Sequence, residues 1–236
     1  MREAGPVSGL HPERAPAWLH PLLAGIRDFD PAALSRRRIP PHSGGRRAAV
    51  LMLFGEDQAH GPDVLLVERA RTLRNHAGQV AFPGGGAEAG DTDAVATALR
   101  EAQEEAGVEP AGVVPLALLP QLYVPPSGFV VTPVLAYWEQ PVAVRPVDPA
   151  ETATVVRVPI AALAEPAHRI TVRHPSGLTG PAFTVAGLLV WGFTGGLLSA
   201  LLDRGGWARR WDATRVVDLE TAWSTARASR QEVAGS

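Results

Sequence analysis

Five short apolar runs limit what this chain can fold into: AAVLMLF at 48–54, DVLLVER at 63–69, VVPLALL at 113–119, VVTPVLAYW at 130–138 and TVVRVPI at 154–160. Each has the length of a strand and is rich in valine and leucine. Only two segments carry strong helical periodicity, 92–106 and 195–203, with a weaker one at 219–228. Several strands with a few helices placed between them predict an α/β fold, a mixed sheet covered by helices on both faces. No internal repeat is visible.

The length of 236 residues suits one compact domain with extensions at its ends. Residues 1–47 are rich in Pro and Arg and hold one amphipathic stretch, with Trp18, Leu22, Leu23 and Ile26 on one side. The PP and GG pairs at 40–45 read as a linker. We therefore expect an extension over 1–47, a domain over 48–206 and a tail with a helix over 207–236. No charged residue occurs from Pro175 to Leu202, but the glycines inside that run divide it. It reads as a strand (Phe183 to Trp191), a break at 192–194 and a helix capped by Thr194, rather than a membrane span.

Net charge is −2, and all 22 basic residues are Arg, which reflects coding bias more than phosphate binding. No footprint for nucleic acid or anionic membrane follows from that balance. The absence of cysteine excludes a disulfide scaffold, a thiolate zinc site and a Cys nucleophile. The N-terminus holds no apolar run of signal-peptide length, so export is not expected and a cytoplasmic location is.

The chemistry is concentrated in GDTDAVATALREAQEEAGV, which opens on Asp91 and Thr92 as candidate helix caps and closes on Gly107, where a left-handed residue is expected. At about 100° per residue, Val95, Leu99, Ala102 and Ala106 share an arc of about 60°, with Glu101, Glu104 and Glu105 on the opposite side. Glu101 repels the other two at i+3 and i+4. Glu104 and Glu105 also face the negative end of the helix dipole, at about 0.3 to 1 kcal/mol each. A solvated acidic face is the ordinary reading, but helix stability alone would favour cations here. Three oxygen donors gathered against that preference suit a hard divalent cation, Mg²⁺ or Mn²⁺. Just upstream, the turn FPGGG at 82–86 brings backbone N–H and C=O groups beside the carboxylates, where a metal-bridged phosphate could sit.

REAQEEAGV at 100–108 resembles, at every specified position, the second half of the Nudix box, REUXEEXGU with U apolar. The first half departs: Asp91 stands where that family has Glu, and eight residues rather than seven separate it from Arg100. This departure resembles one branch, the coenzyme A pyrophosphatases, whose box carries an Asp and the extra residue. That branch has a second motif, roughly LLTxR, three or four residues, then LRxHxGxxxFPGG. LLVERARTLRNHAGQVAFPGG at 65–85 matches it at Leu65, Leu66, Arg69, Leu73, Arg74, His76, Gly78 and Phe82 through Gly85, with Val67 for Thr and Gly86 where Lys is frequent. The resemblance covers roughly 48–203.

The resemblance implies a Nudix α/β/α sandwich. It also implies a small-molecule substrate, coenzyme A or acyl-CoA, hydrolysed to 3′,5′-ADP and a 4′-phosphopantetheine. Carried over residue by residue, Glu101, Glu104 and Glu105 would ligate Mg²⁺ or Mn²⁺, and Glu101 or Glu104 would orient or deprotonate the attacking water. Arg100 would brace Glu104 at i+4, Gly84 and Gly85 would lend a backbone carbonyl to the metal, and Arg69, Arg74 and His76 would hold the substrate's phosphates. Glu151 reads as a surface acid. Trp191, Trp207, Trp211 and Trp223 suit core packing, tail docking or a dimer contact, which leaves a homodimer open. Two alternatives stand beside this: a hydrolase of ADP-ribose, NADH or nucleotide sugars, and a non-catalytic nucleotide-binding module.

Overall fold

The computed structural model describes residues 9–29, 45–73, 76–124 and 127–234. All five predicted strands form, as β1 (Arg46–Asp57), β2 (Gly61–Arg69), β5 (Val113–Leu118), β7 (Phe129–Trp138) and β8 (Thr152–Pro159). With the short β3 (Val80–Ala81), β4 (Gly84–Gly86) and β6 (Leu122–Val124) they build one sheet. Its main path is β3-β2-β1-β7-β5, with β4 on β1, β6 on β7 and β8 on β2. β1 and β7 run parallel while β1–β2 and β5–β7 are antiparallel, so the sheet is mixed, as expected. Among the described residues the helices are α1 (His20–Gly25), α2 (Ala94–Ala106), α3 (Ile160–Ala164), α4 (Gly192–Arg204) and α5 (Leu219–Ala234), besides short 3₁₀ turns.

The unbroken apolar runs follow from burial on both faces of this sheet. From β1, Ala49, Leu51 and Leu53 pack with Val95, Ala98, Ala102 and Ala106 of α2. The alternate residues Met52 and Phe54 join a second core with Leu22 of α1 and Leu197, Leu198, Leu201 and Leu202 of α4. Alanine at 98, 102 and 106 lets the acidic helix lie close to the sheet, which sets the height of its carboxylates above β4.

Three expectations are corrected by this fold. The strand expected over 183–191 is a hairpin, β10 (Thr179–Val185) and β11 (Leu188–Val190). Its turn puts Ala186 at φ 52° and Gly187 at φ 68°, both in the left-handed region that a two-residue hairpin turn requires. With β9 (Arg169–Arg173) and β12 (Val216–Asp218) it forms a second sheet, β11-β10-β9-β12, beyond the single sheet expected. The predicted tail covers that sheet: Leu219, Ala222 and Ala226 of α5 pack on Ile170, Val172, Ala182 and Leu189. Secondly, α4 begins at Gly192 with Trp191 at its N-cap and no side-chain cap, and Thr194 is buried inside the first turn.

Thirdly, part of the predicted N-terminal extension belongs to the main core. Leu19, Leu22, Ile26 and Phe29 are buried there, and the Trp18 ring lies 6.5 Å from Phe54 and 6.1 Å from Trp207. Apart from Gly45, the predicted linker at 40–45 lies outside the described residues. Among the described residues, no helix is long and apolar enough to cross a membrane.

Candidate active site

The acidic helix begins at Ala94 because Asp93 caps it, its carboxylate accepting the Ala96 N–H at 2.9 Å. It ends as predicted at Gly107, in the left-handed conformation at φ 71°. Asp91, read from the sequence as a cap, has a different task. Its oxygens accept from Nε and Nη2 of Arg100, both at 3.1 Å, from the Glu88 N–H at 2.9 Å and from the Thr97 hydroxyl at 2.9 Å. The Arg100 bonds, with the Glu88 N–H and the Thr97 hydroxyl, hold this carboxyl well below the usual carboxylate range. Asp91 in turn tightens the proton on Arg100.

Arg100 is therefore a hub. Nη2 also donates to the Gly86 carbonyl at 2.9 Å, while Nη1 lies 3.0 Å from Glu101 Oε1 and 2.8 Å from Glu104 Oε2. The i+4 contact with Glu104 matches the spacing of the sequence. The Asp91 contact was missed, because it depends on residues 88–93 folding back along the helix and leaves no periodic trace.

The three glutamates do not share one face. The Glu104 side chain is 58% exposed, Glu101 16% and Glu105 8%. Glu105 sits about 40° round the helix from Glu101, toward Ala98 and Ala102, and so faces the sheet. There its Oε2 accepts the Gly84 N–H at 3.0 Å, and Oε1 lies 3.6 Å from Nη1 of Arg69. Burial pushes the Glu105 carboxyl up to about 7, against the opposing pull of the Gly84 N–H and Arg69. Burial also raises Glu101, opposed by Arg100. Glu101 lies over Gly85, where a Cβ would stand 2.5 Å from its Oε1. Thus Gly84 offers an N–H to a carboxylate, and Gly85 offers room for one.

Arg69 ends β2 and anchors the loop that follows. Its N–H donates to Gln79 O at 3.0 Å, and its carbonyl accepts the Gly78 N–H at 3.1 Å. His76 stands on this loop, exposed, at φ 58°, with Nδ1 2.8 Å from Gln79 Oε1. Arg74 lies outside the described residues. Glu151 is exposed, and its carbonyl accepts the Ala70 N–H at 2.8 Å. The residue before Arg69, Glu68, is buried and was missed by sequence reasoning. It accepts from Arg230 of α5 at 2.5 Å and from Thr154 at 3.2 Å, and lies 3.7 Å from Arg71 Nη2. The last helix is thereby tied to the strand that carries Arg69, a contact across 162 residues that no local pattern encodes.

Among the described residues, no group of three His, Asp or Glu stands ready to hold a metal ion. The three convergent oxygens expected from the sequence fall into two sets instead. Glu101 and Glu104 share Nη1 of Arg100, and Glu105 turns to Gly84 and Arg69. The chemistry of the donors still fits a hard divalent cation. Carboxylates of successive turns lie on a glycine strand, with Gly85 bare where a Cβ would displace Glu101, and two of them are held desolvated.

A pH dependence follows from Glu105. Its folded-state affinity for a proton exceeds the unfolded one, so the stability it contributes as a neutral acid is fully present below about pH 4.5 and is lost as pH rises through about 7. In chelator the wild type is expected to lose on the order of 2–3 kcal/mol from this group across that window. Urea unfolding at pH 5 and pH 8 checks this against Glu105→Gln. An equal pH dependence in the variant would remove Glu105 as the cause.

The NUDIX domain profile matches residues 44–176. The uncharacterized Nudix hydrolase NudL of Pectobacterium atrosepticum is 54% identical over 74 residues, 31% of this chain and 38% of that protein. NudL of Citrobacter koseri is 41% identical over 102 residues, 43% of this chain and 52% of that protein. The chain thus spans between 38% and 52% of the length of these curated relatives. Among solved structures, the Nudix hydrolase RenU of M. smegmatis is similar at a TM-score of 0.49 and 19% identity, over 71% of this chain and 90% of that one. The NUDIX domain of Shewanella oneidensis NrtR, solved with ADP ribose, is similar at 0.42 and 20%, over 59% of this chain and 84% of that one.

Proposed function

This chain belongs to the Nudix family, and from that membership we propose that it is a Mg²⁺- or Mn²⁺-dependent pyrophosphatase of coenzyme A or acyl-CoA. The products would be 3′,5′-ADP and (acyl-)4′-phosphopantetheine. The observation that carries the hydrolytic reading is the pair of desolvated carboxylates, Glu101 and Glu105, laid on the glycine strand beside Arg69. The coenzyme A reading rests on the motif at 65–85, whose Arg69 touches Glu105.

Glu101, Glu104 and Glu105 would hold the metal. When bound, it would neutralise the pyrophosphate and lower the pKa of the attacking water. The chain's own residues would do the rest. Glu101 or Glu104 would orient or deprotonate the attacking water. Arg100, fixed by Asp91, orients Glu101 and Glu104. Arg69 at the end of β2, together with Arg74 and His76, would hold phosphate oxygens. We assign the catalytic unit to 48–206, its core completed by α1.

The test is product analysis by mass after incubation of the full chain and Mn²⁺ with coenzyme A, dephospho-coenzyme A, ADP-ribose and NADH. Release of 3′,5′-ADP from coenzyme A at the highest kcat/KM is expected. Preference for ADP-ribose or NADH would move the activity to the first alternative, and binding without turnover to the second. Mn²⁺ at about 100 times its Kd should stabilise wild type by about 2.7 kcal/mol. A variant with Gln at 101, 104 and 105 should show no such shift; equal shifts would place the dominant metal site elsewhere.

A further inference from the structure

Along β4 each glycine meets a different partner. Gly84 meets Glu105 and, through it, Arg69; Gly85 meets Glu101. Gly86 opens on a cleft of about 420 Å³ whose lining includes Arg46, Arg47, Glu88, Glu101 and Phe129, with Glu88 4.0 Å from Nη1 of Arg100. The pairing of β1 with β4 (Ala48 opposite Gly86) and with β7 (Arg46 opposite Phe129) brings those residues to one end of the sheet. The Arg46 guanidinium lies 4.3 Å from the Phe129 ring centroid, and its Nη2 donates to the Ser127 carbonyl at 3.4 Å. Arg46 and Arg47 are both exposed, and among the described residues neither is ion-paired with a carboxylate. The arginines beside the acids differ: Arg69 and Arg100 each have carboxylate partners.

Arg47 shares the α2 side of β1 with Ala49, Leu51 and Leu53 and lines the cleft with Glu101. It has no carboxylate partner among the described residues, which suits an anion with several equivalent oxygens. Arg46 borders the same cleft from the other side of the strand. The stacked Arg46 and Phe129 add a flat surface for a ring. This is chemistry for a phosphorylated nucleoside. The cleft lies beyond Glu101 from Arg69, two residues or about 7 Å along the strand, so the two arginine groups address separate parts of one substrate.

Building on the pyrophosphatase reading above, we propose that the Arg46–Arg47–Phe129 cleft is a second phosphate subsite, which takes a phosphomonoester on the nucleotide half of the substrate. Arg47 donates to the phosphate, and Arg46 with Phe129 borders the cleft beside it.

The test compares Arg47→Met with wild type on coenzyme A and dephospho-coenzyme A, which differ by that phosphate. Expected is a fall of about 10- to 100-fold in kcat/KM for coenzyme A, with dephospho-coenzyme A changed by less than about twofold. Arg47→Lys, which keeps the charge, should recover part of the loss. Equal losses on both substrates, or none on either, overturn the subsite. Calorimetry with 3′,5′-ADP and 5′-AMP on the metal-free full chain separates this from the reading it rests on. If wild type hydrolyses neither coenzyme A species, the pyrophosphatase reading fails. The subsite still stands if wild type prefers 3′,5′-ADP and Arg47→Met abolishes that preference, and it falls if the preference is absent or unchanged.

Discussion

Glu101→Gln is expected to lower kcat for pyrophosphate hydrolysis by about 10²- to 10⁴-fold, the range for loss of a positioned acid or base. Folding should be nearly unaffected. The substitution keeps shape and volume, removes a charge whose burial opposes its ionisation, and leaves Arg100 its contacts with Asp91, Gly86 and Glu104. A second route to the same loss leaves Glu101 in place. In Gly85→Ala the new Cβ would stand 2.5 Å from Glu101 Oε1 and 2.6 Å from its Cδ, so the carboxylate must move aside. What moves is the far end of a flexible side chain, so the fold should survive while turnover falls. Steady-state kinetics with Mn²⁺, together with thermal melts, test both variants. Wild-type turnover in both would remove Glu101 from the chemistry.

Leu22→Ala is expected to cost about 2–5 kcal/mol, the range for truncating a leucine in a packed core. Leu22 is 0% exposed and shares a cluster with Met52 and Phe54 of β1 and the leucines of α4. At this chain length the midpoint should drop by roughly 2–4 °C for each kcal/mol. Urea denaturation of wild type and variant, followed by tryptophan fluorescence, gives the difference directly, since Trp18 packs in the same region. A change below about 0.5 kcal/mol, the size of an ordinary surface substitution, would restore the view of this segment as a detachable extension.

Legibility followed the range of the forces involved. The strands of the main sheet could be read because burial on both faces demands uninterrupted apolar runs, a property of each strand alone. The acidic helix was equally readable, from its period and from Gly107 at its end. The hairpin at 186–187 was hidden because Ala186 supplies one of its two positive φ angles, where asparagine or glycine would have signalled the turn. Trp18 and Leu22 gave an amphipathic stripe, but a stripe does not say which core it fills.

The candidate site divides the same way. Glu101, Glu104, Glu105, Arg100 and the glycines of 84–86 stand out in the primary structure because they are close in the chain and their charges oppose helix stability. Which carboxylate is buried, and which guanidinium it faces, follows instead from how α2 rests on β1 and β4. Glu105 is turned inward by about 40° of helical rotation, while Asp91 meets Arg100 only after the preceding loop folds back. The Arg46–Phe129 pair and the Glu68–Arg230 tie join residues 83 and 162 positions apart. Local order along a chain writes propensity, period and charge. Contacts between distant segments arise only when burying their shared apolar surfaces brings strands and helices together, and that assembly placed the residues of this site.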